Sequence, residues 1–432
     1  MTTRRALLAG VGTAATAILA GCATFGGSEG RATERVGEAA FSEGVPSLDW
    51  PVSPFPVAIP PSLRERHRNR ARALLESVPA DPSIPNGVIE SGIETDRERV
   101  AERLARGSRA TMDVERLDDW RGYRGDAASL VGRYRAATGI DEGDAVRRRR
   151  GSVRDGIGRF AADVTYRATT AVEATLVYST VEALLEDARR YARPTEPYPE
   201  QPVAAVDRAG EAVRAVERAE AAFADAASLH DAYLTTRGDG TSRWVTLVRA
   251  SRDLAFAVDR AVRPLERYRQ ADPQDVFDRD VEGTAAGRLF EIAARRLRPA
   301  SDETRDLQRS GEFATAVLES GRDLAAVASL RGAVDAVEKG RLAETVTETV
   351  VRDAAARARS AVVALEDADR PHLSAAIARP AQFDYANAAR RLAEDYFDPT
   401  DAAASFQYAA LRARAAPVVA AYLVDRLDDA NG

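Results

Sequence analysis

From Ser62 onward, apolar residues recur at offsets of three, four and their sums, the pattern of helices that bury one stripe. The stretch after Pro202 is representative. Val203, Val206, Val213, Val216, Phe223 and Tyr233 fall on one face, while Arg208, Arg214, Glu217, Arg218 and Glu220 fill the others. The spacing predicts helices over 62–77, 95–106, 108–122, 126–137 and 143–192, the last with a break among Gly151, Gly156 and Gly158. Further helices are predicted over 203–236, 241–271, 280–298, 302–338, 341–368, 384–396 and 400–428. Ser62-Leu63-Arg64-Glu65 and Thr95-Asp96-Arg97-Glu98 have the form of capping boxes. The turn Arg237-Gly238-Asp239-Gly240 joins two long helical patterns and predicts an antiparallel hairpin. No alternating run of β-branched residues bounded by turns occurs, so no strand is predicted. The expected fold is all-α: an extended multi-helix bundle or helical-hairpin array, rich in Ala and Val, after a Pro-rich extended N-terminal segment.

Punctuation sets the expected divisions. Residues 23–45 are rich in Gly, Ser, Glu and Ala, the composition of a tether. Residues 46–61 hold six prolines interleaved with Trp50, Phe55 and Ile59, which favours extended backbone. That segment reads either as a stiff spacer or as a strip docked on the body, and its aromatics favour docking. Arg193 to Pro202 carries four prolines and is the expected internal boundary. The expected divisions are 1–21, 22–61, 62–200 and 201–432. Gly210, Gly287, Gly332 and Gly340 lie inside helical patterns, where they mark close approaches or kinks.

Composition adds limits. Aromatics are 6% of the chain, so the core rests on Ala and Val and needs closely spaced helices. Net charge is −6, which argues against general nucleic-acid binding. A single cysteine excludes an intramolecular disulfide. His67, His230 and His372 are far apart in sequence and read as surface or satisfied residues; Trp120 and Trp244 read as core.

The N-terminus carries the clearest motif. Thr3-Arg4-Arg5-Ala6-Leu7-Leu8 resembles a twin-arginine export signal, and after a mildly apolar stretch Leu19-Ala20-Gly21-Cys22 resembles a lipobox at all four positions. The arginines hold the leader on the cytoplasmic side, and the small residues before the cysteine suit a peptidase cleft. Residues 1–22 thus resemble those of twin-arginine-exported lipoproteins. With Lys339 as the sole lysine among many arginines, the whole resembles proteins of salt-loving archaea, with high-GC actinobacteria as the alternative. The resemblance implies cleavage before Cys22, a lipid on that thiol and a net charge of −8 once Arg4 and Arg5 are removed. An uncleaved membrane span over 6–25 is the competing reading, weakened by its glycines and threonines.

Chemistry is sparse. No Gly-Lys dipeptide, His-Glu-x-x-His or Ser-x-x-Lys occurs. Asp278-Arg279-Asp280-Val281-Glu282-Gly283 resembles half of a calcium loop, but the twelfth position is Leu289 rather than a bidentate glutamate. Asp278, Asp280 and Glu282 are therefore weak metal candidates beside an acidic helix start. The run Arg147–Arg150 reads as a solvated face paired with nearby acids, or as a contact for anionic lipid or an acidic partner. No catalytic residue and no cofactor is expected. The expected protein is a lipoprotein on the outer face of the cytoplasmic membrane, exported folded, with a binding or structural helical ectodomain and an unidentified envelope protein as partner. Two rivals remain. One is an enzyme using dispersed carboxylates, which predicts a perturbed acid in a pocket. The other is a transporter-associated solute-binding lipoprotein, which predicts a central sheet.

Overall fold

A computed structural model describes residues 45, 48–193, 197–238, 240–297, 301–392 and 398–431. The expected leader, with Arg4, Arg5, Leu19, Ala20, Gly21 and Cys22, lies outside the described residues. The fold is all-α, with fourteen α-helices among the described residues and one antiparallel pair of two-residue strands. That pair, β1 (Arg167–Ala168) with β2 (Thr241–Ser242), is too short to show as an alternating run. None of the described helices is long and apolar enough to cross a membrane.

Packing divides the chain into two units. One is Phe55–Arg243; the other is Trp244 onward together with the described residues up to Pro54. The division falls 43 residues later than the expected boundary at 200/201. The reason is that the helix after the prolines packs back on the helices before them, which outweighs the break in the local pattern.

The N-terminal unit holds α1 (Pro61–Glu76), α2 (Gly87–Arg106), α3 (Asp113–Ala137), α4 (Gly143–Asp163), α5 (Ala171–Ala192) and α6 (Val206–Arg237). The 32-residue α6 is its strut, packing against α3, α5 and α4. Neither expected capping box forms. Pro60 and Pro61 start α1 without a side-chain cap, because proline at the first turn forfeits no helical hydrogen bond. Asn86 starts α2 by accepting from Val88 N and Ile89 N, which leaves Thr95 inside the helix, donating to Ser91 O. The helix expected over 143–192 breaks after Asp163, not at the glycines, and Thr170 caps its resumption. Val203, assigned to the buried stripe, is exposed in a short 3-10 turn. Glu217, assigned to an outer face, is fully buried.

The C-terminal unit holds α7 (Trp244–Val262), the short α8 (Pro273–Val276), α9 (Ala285–Arg295), α10 (Ser301–Ser310), α11 (Phe313–Glu338), α12 (Glu348–Val363), α13 (Pro371–Arg391) and α14 (Pro399–Asn431). Here too the last and longest helix is the strut: α14 packs on α13, α12, α11, α9 and α7. Its buried face is mostly alanine, the small-residue contact that the composition implies. Gly311, at φ +81°, ends α10 within the span expected to be one helix. α13 was expected only from 384. It starts at Pro371 and carries Pro380 inside, the backbone cost being offset by burial of Ile377, Ala381 and Tyr385. The two long helices joined by the turn at Arg237–Gly240, α6 and α7, belong to different units.

The proline-rich strip is docked where described. Trp50 is buried, and Ser53 O accepts from His372 Nδ1 at 2.7 Å. Phe55 and Val57 are buried as well.

Candidate functional site

Inside the N-terminal unit, charged residues sit where the helix pattern calls for apolar ones. On α6, Glu217 and Asp225 are two helical steps of four apart, with buried Ala221 between them. His67 and Arg70 on α1, and Arg121 and Arg124 on α3, are each three apart and face the same stripe. The result is a two-rung ladder of charge across three helices.

In one rung, His67 Nε2 lies 2.9 Å from both carboxylate oxygens of Asp225, and both residues are fully enclosed. Arg121 donates to Asp225 Oδ2 at 3.0 Å and to Asp118 Oδ1 at 2.9 Å. Arg124 Nη1 stands 3.5 Å from His67 Nδ1; a guanidinium can only donate, so the geometry places the imidazole proton on Nε2, toward Asp225.

In the other rung, Arg124 Nε donates to Glu217 Oε1 at 2.9 Å, and Arg70 grips both Glu217 oxygens at 2.8 and 3.3 Å. Arg149, from α4, adds an ion pair to Glu217 Oε2 and a two-pronged pair to Glu220 at 2.8 and 2.6 Å. Burial by itself pushes the Glu217 carboxyl up. Arg70, then Arg124 and Arg149, overcome that and hold it at about 2. The histidine–aspartate pair has the residue types of a general-base dyad, but both nitrogens of His67 are taken and no face is open. What the ladder can do is lock α1, α3, α4 and α6 in register.

The sequence candidates fare differently. Arg147–Arg150 is a solvated face only in part, at the exposed Arg147 and Arg148. Arg149 turns inward to the ladder, Arg150 is buried with its Nε lacking a hydrogen-bond partner among the described residues, and Arg147 pairs with Asp144 as expected. Asp280 Oδ1 accepts from Glu282 N and from Gln274 Nε2, each at 3.1 Å, which ties the turn instead of opening it to a cation. Among the described residues, no group of three or more histidine, cysteine or acidic side chains is arranged to hold a metal ion, so Asp278, Asp280 and Glu282 do not assemble into one. Trp120 is core, whereas Trp244 is 38% exposed, edge-on to Phe313. His230 packs between Phe160 and Tyr178, and burial lowers its pKa against the pull of Asp231. A serine-hydrolase spacing does occur, as Gly26-Gly27-Ser28-Glu29-Gly30, in the Gly- and Ser-rich run outside the described residues. That chemistry needs a strand-to-helix turn, for which the local composition gives no signal.

A groove of about 330 Å³ runs between α2, α3 and α6. Its walls are mutually neutralised: Asp96 pairs with Arg99 and Arg133, and Asp126 with Arg103 and Arg214. The functional residues missed from sequence were thus the ladder's. The available signal was a carboxylate pair, Glu217 and Asp225, lying in line with buried alanine.

Two family models match the chain. Residues 62–239 are similar to a domain of unknown function (DUF8262), and residues 244–425 to another (DUF8264). The break between the matches coincides with the division at Arg243 and Trp244. No curated protein and no solved structure matches the chain.

Proposed function

We propose that this protein is an exported lipoprotein, anchored through Cys22 on the outer face of the cytoplasmic membrane, whose helical body serves as a binding or structural component of the cell envelope. One observation carries the proposal: the only cysteine in the chain closes Leu19-Ala20-Gly21-Cys22, behind a leader with Arg4 and Arg5. Export in the folded state accords with the ladder. Its long-range pairs, such as His67 with Asp225, exist only once α1, α3 and α6 have assembled. A closed, self-paired interior also suits a body that works through its surface. A two-chain lipid on Cys22 gives stable anchorage, where a single chain gives marginal binding.

Fractionating host cells that express the full chain tests the proposal. The wild type is expected in the membrane fraction, Cys22→Ser in the medium, and Arg4→Lys/Arg5→Lys inside the cell. An unchanged distribution of Cys22→Ser would overturn the anchor. Surface crosslinking then reads the partner: envelope proteins captured by wild type and lost with Cys22→Ser support the binding role.

A further inference from the structure

A second groove, of about 260 Å³, lies within the C-terminal unit between α9, α13 and α14. Its charge differs in kind from the neutralised groove described above. Four guanidinium groups line it, from Arg288, Arg295, Arg296 and Arg391, against two carboxylates, Asp384 and Asp401. The lining is therefore cationic by two charges on a chain whose net charge is −6.

Asp401 is committed to Arg288, which also pairs with Glu291 at 2.6 Å. Arg295 reaches Glu291 only at 3.5 Å and remains more than half exposed. The guanidinium of Arg391 has no ion pair or hydrogen bond among the described residues. Two guanidinium groups thus retain most of their donors, in the planar array that matches oxyanions.

Asp384 is different again. It is 5% exposed, and its Oδ1 accepts from Arg296 at 2.6 Å. Its Oδ2 is buried without a hydrogen-bond donor among the described residues. Behind it on α14, Arg412 Nε is likewise buried without a hydrogen-bond partner among the described residues. An enclosed carboxylate oxygen with no donor is costly, and native proteins rarely tolerate one without a reason. Burial pushes the Asp384 carboxyl up, opposed by Arg296 and Arg412.

The two features together define a ligand. It must be anionic, with about two charges, and it must also bring a hydrogen to donate to Asp384. Sulfate meets the first condition and fails the second, since it carries only acceptors at neutral pH. So does the dianion of a phosphate monoester, and a lipid phosphodiester carries no proton either. Inorganic hydrogen phosphate is a dianion that keeps one hydroxyl. We propose that this groove binds free hydrogen phosphate, whose oxygens are held by Arg295, Arg296 and Arg391 while its hydroxyl donates to the carboxylate of Asp384 in the groove wall. Rejection of sulfate then follows from repulsion between two sets of lone pairs.

This inference goes beyond anchoring and does not depend on it: titration reads the groove, and the fractionation of Cys22→Ser reads the anchor. The test is calorimetric titration of the purified full chain, in chloride buffer, with sodium phosphate, sodium sulfate and methyl phosphate. Phosphate is expected to bind at least about tenfold more tightly than either alternative, the worth of one hydrogen bond to a charged group. Asp384→Asn, whose amide can donate, is expected to weaken phosphate, strengthen sulfate and bring the ratio near one. Arg391→Ala, at an exposed position, is expected to weaken phosphate several-fold with the helical circular dichroism intact. No binding of phosphate, equal binding of sulfate by the wild type, or a ratio unchanged in a folded Asp384→Asn would each overturn the proposal. If Asp384→Asn fails to fold, the wild-type anion ratio and Arg391→Ala still decide it.

Discussion

A buried charge is a liability unless its partners reach it, and Glu217 shows how much three arginines can do. Its carboxyl, ordinarily at 4.5, is held at about 2 in the folded chain. A depressed acid stabilises the fold above its unfolded pKa and loses that contribution as pH falls through the folded one. The window is therefore about 4.5 down to about 2, and the shift corresponds to about 3 kcal/mol. Glu217→Gln keeps the shape but leaves Arg70, Arg124 and Arg149 facing a neutral group. The expected loss at neutral pH is about 3–5 kcal/mol, the usual cost of orphaning a buried ion. Urea unfolding at pH 7 and at pH 3 checks both statements: the gap between wild type and variant should narrow on acidification. A gap that stays constant would mean that the carboxylate is not what the arginines stabilise. The periodicity assigned Glu217 to an outer face because hydropathy records side-chain type and says nothing of what stands opposite.

Helices meet closely here because glycine and alanine let them. Gly210 on α6 crosses Gly132 on α3. A Cβ built on Gly210 would lie 2.5 Å from Arg133 Cγ and 2.9 Å from the backbone oxygen of Ser129. Gly151 on α4 has nothing within 4 Å of the same construction. Two alanine substitutions in one fold should therefore have opposite signs. Gly151→Ala should stabilise by about 1 kcal/mol through helix propensity. Gly210→Ala should destabilise by about 1–3 kcal/mol, since overpacking against backbone outweighs that gain. Thermal melts of the two variants decide it, and a stabilised Gly210→Ala would show that the crossing can relax. The glycines expected to break 143–192 are accommodated within α4, and the break falls instead where Val164 turns extended. Local rules placed most helices while misplacing their ends. Ends depend on single hydrogen bonds, such as those of Asn86 and Thr170, whose donors and acceptors many nearby residues could supply.

On the scale of the whole molecule, each unit closes around its own last helix, α6 in one and α14 in the other. The ladder and the core around α3 and α6 lie wholly within Phe55–Arg243. That segment expressed alone is expected to fold, with strong helical circular dichroism and one cooperative melt. A non-cooperative melt would mean that it draws stability from beyond its own bounds. Local pattern alone set the helical class, through a repeat of three and four over hundreds of residues that no strand could satisfy. It also set an Ala- and Val-based core and placed the single thiol at Cys22. Packing across helices fixed the division at Arg243 and Trp244, the shared interior of His67, Glu217 and Asp225, and the burial of Asp384 with one of its two oxygens lacking a donor among the described residues. The physical reason is common to all three. Periodicity is a property of neighbours along the chain, whereas a boundary, a hydrogen bond 158 residues apart in sequence or an unpartnered oxygen depends on which faces meet across helices. With 61 basic and 67 acidic residues, the chain holds far too many possible pairings for sequence to choose among them.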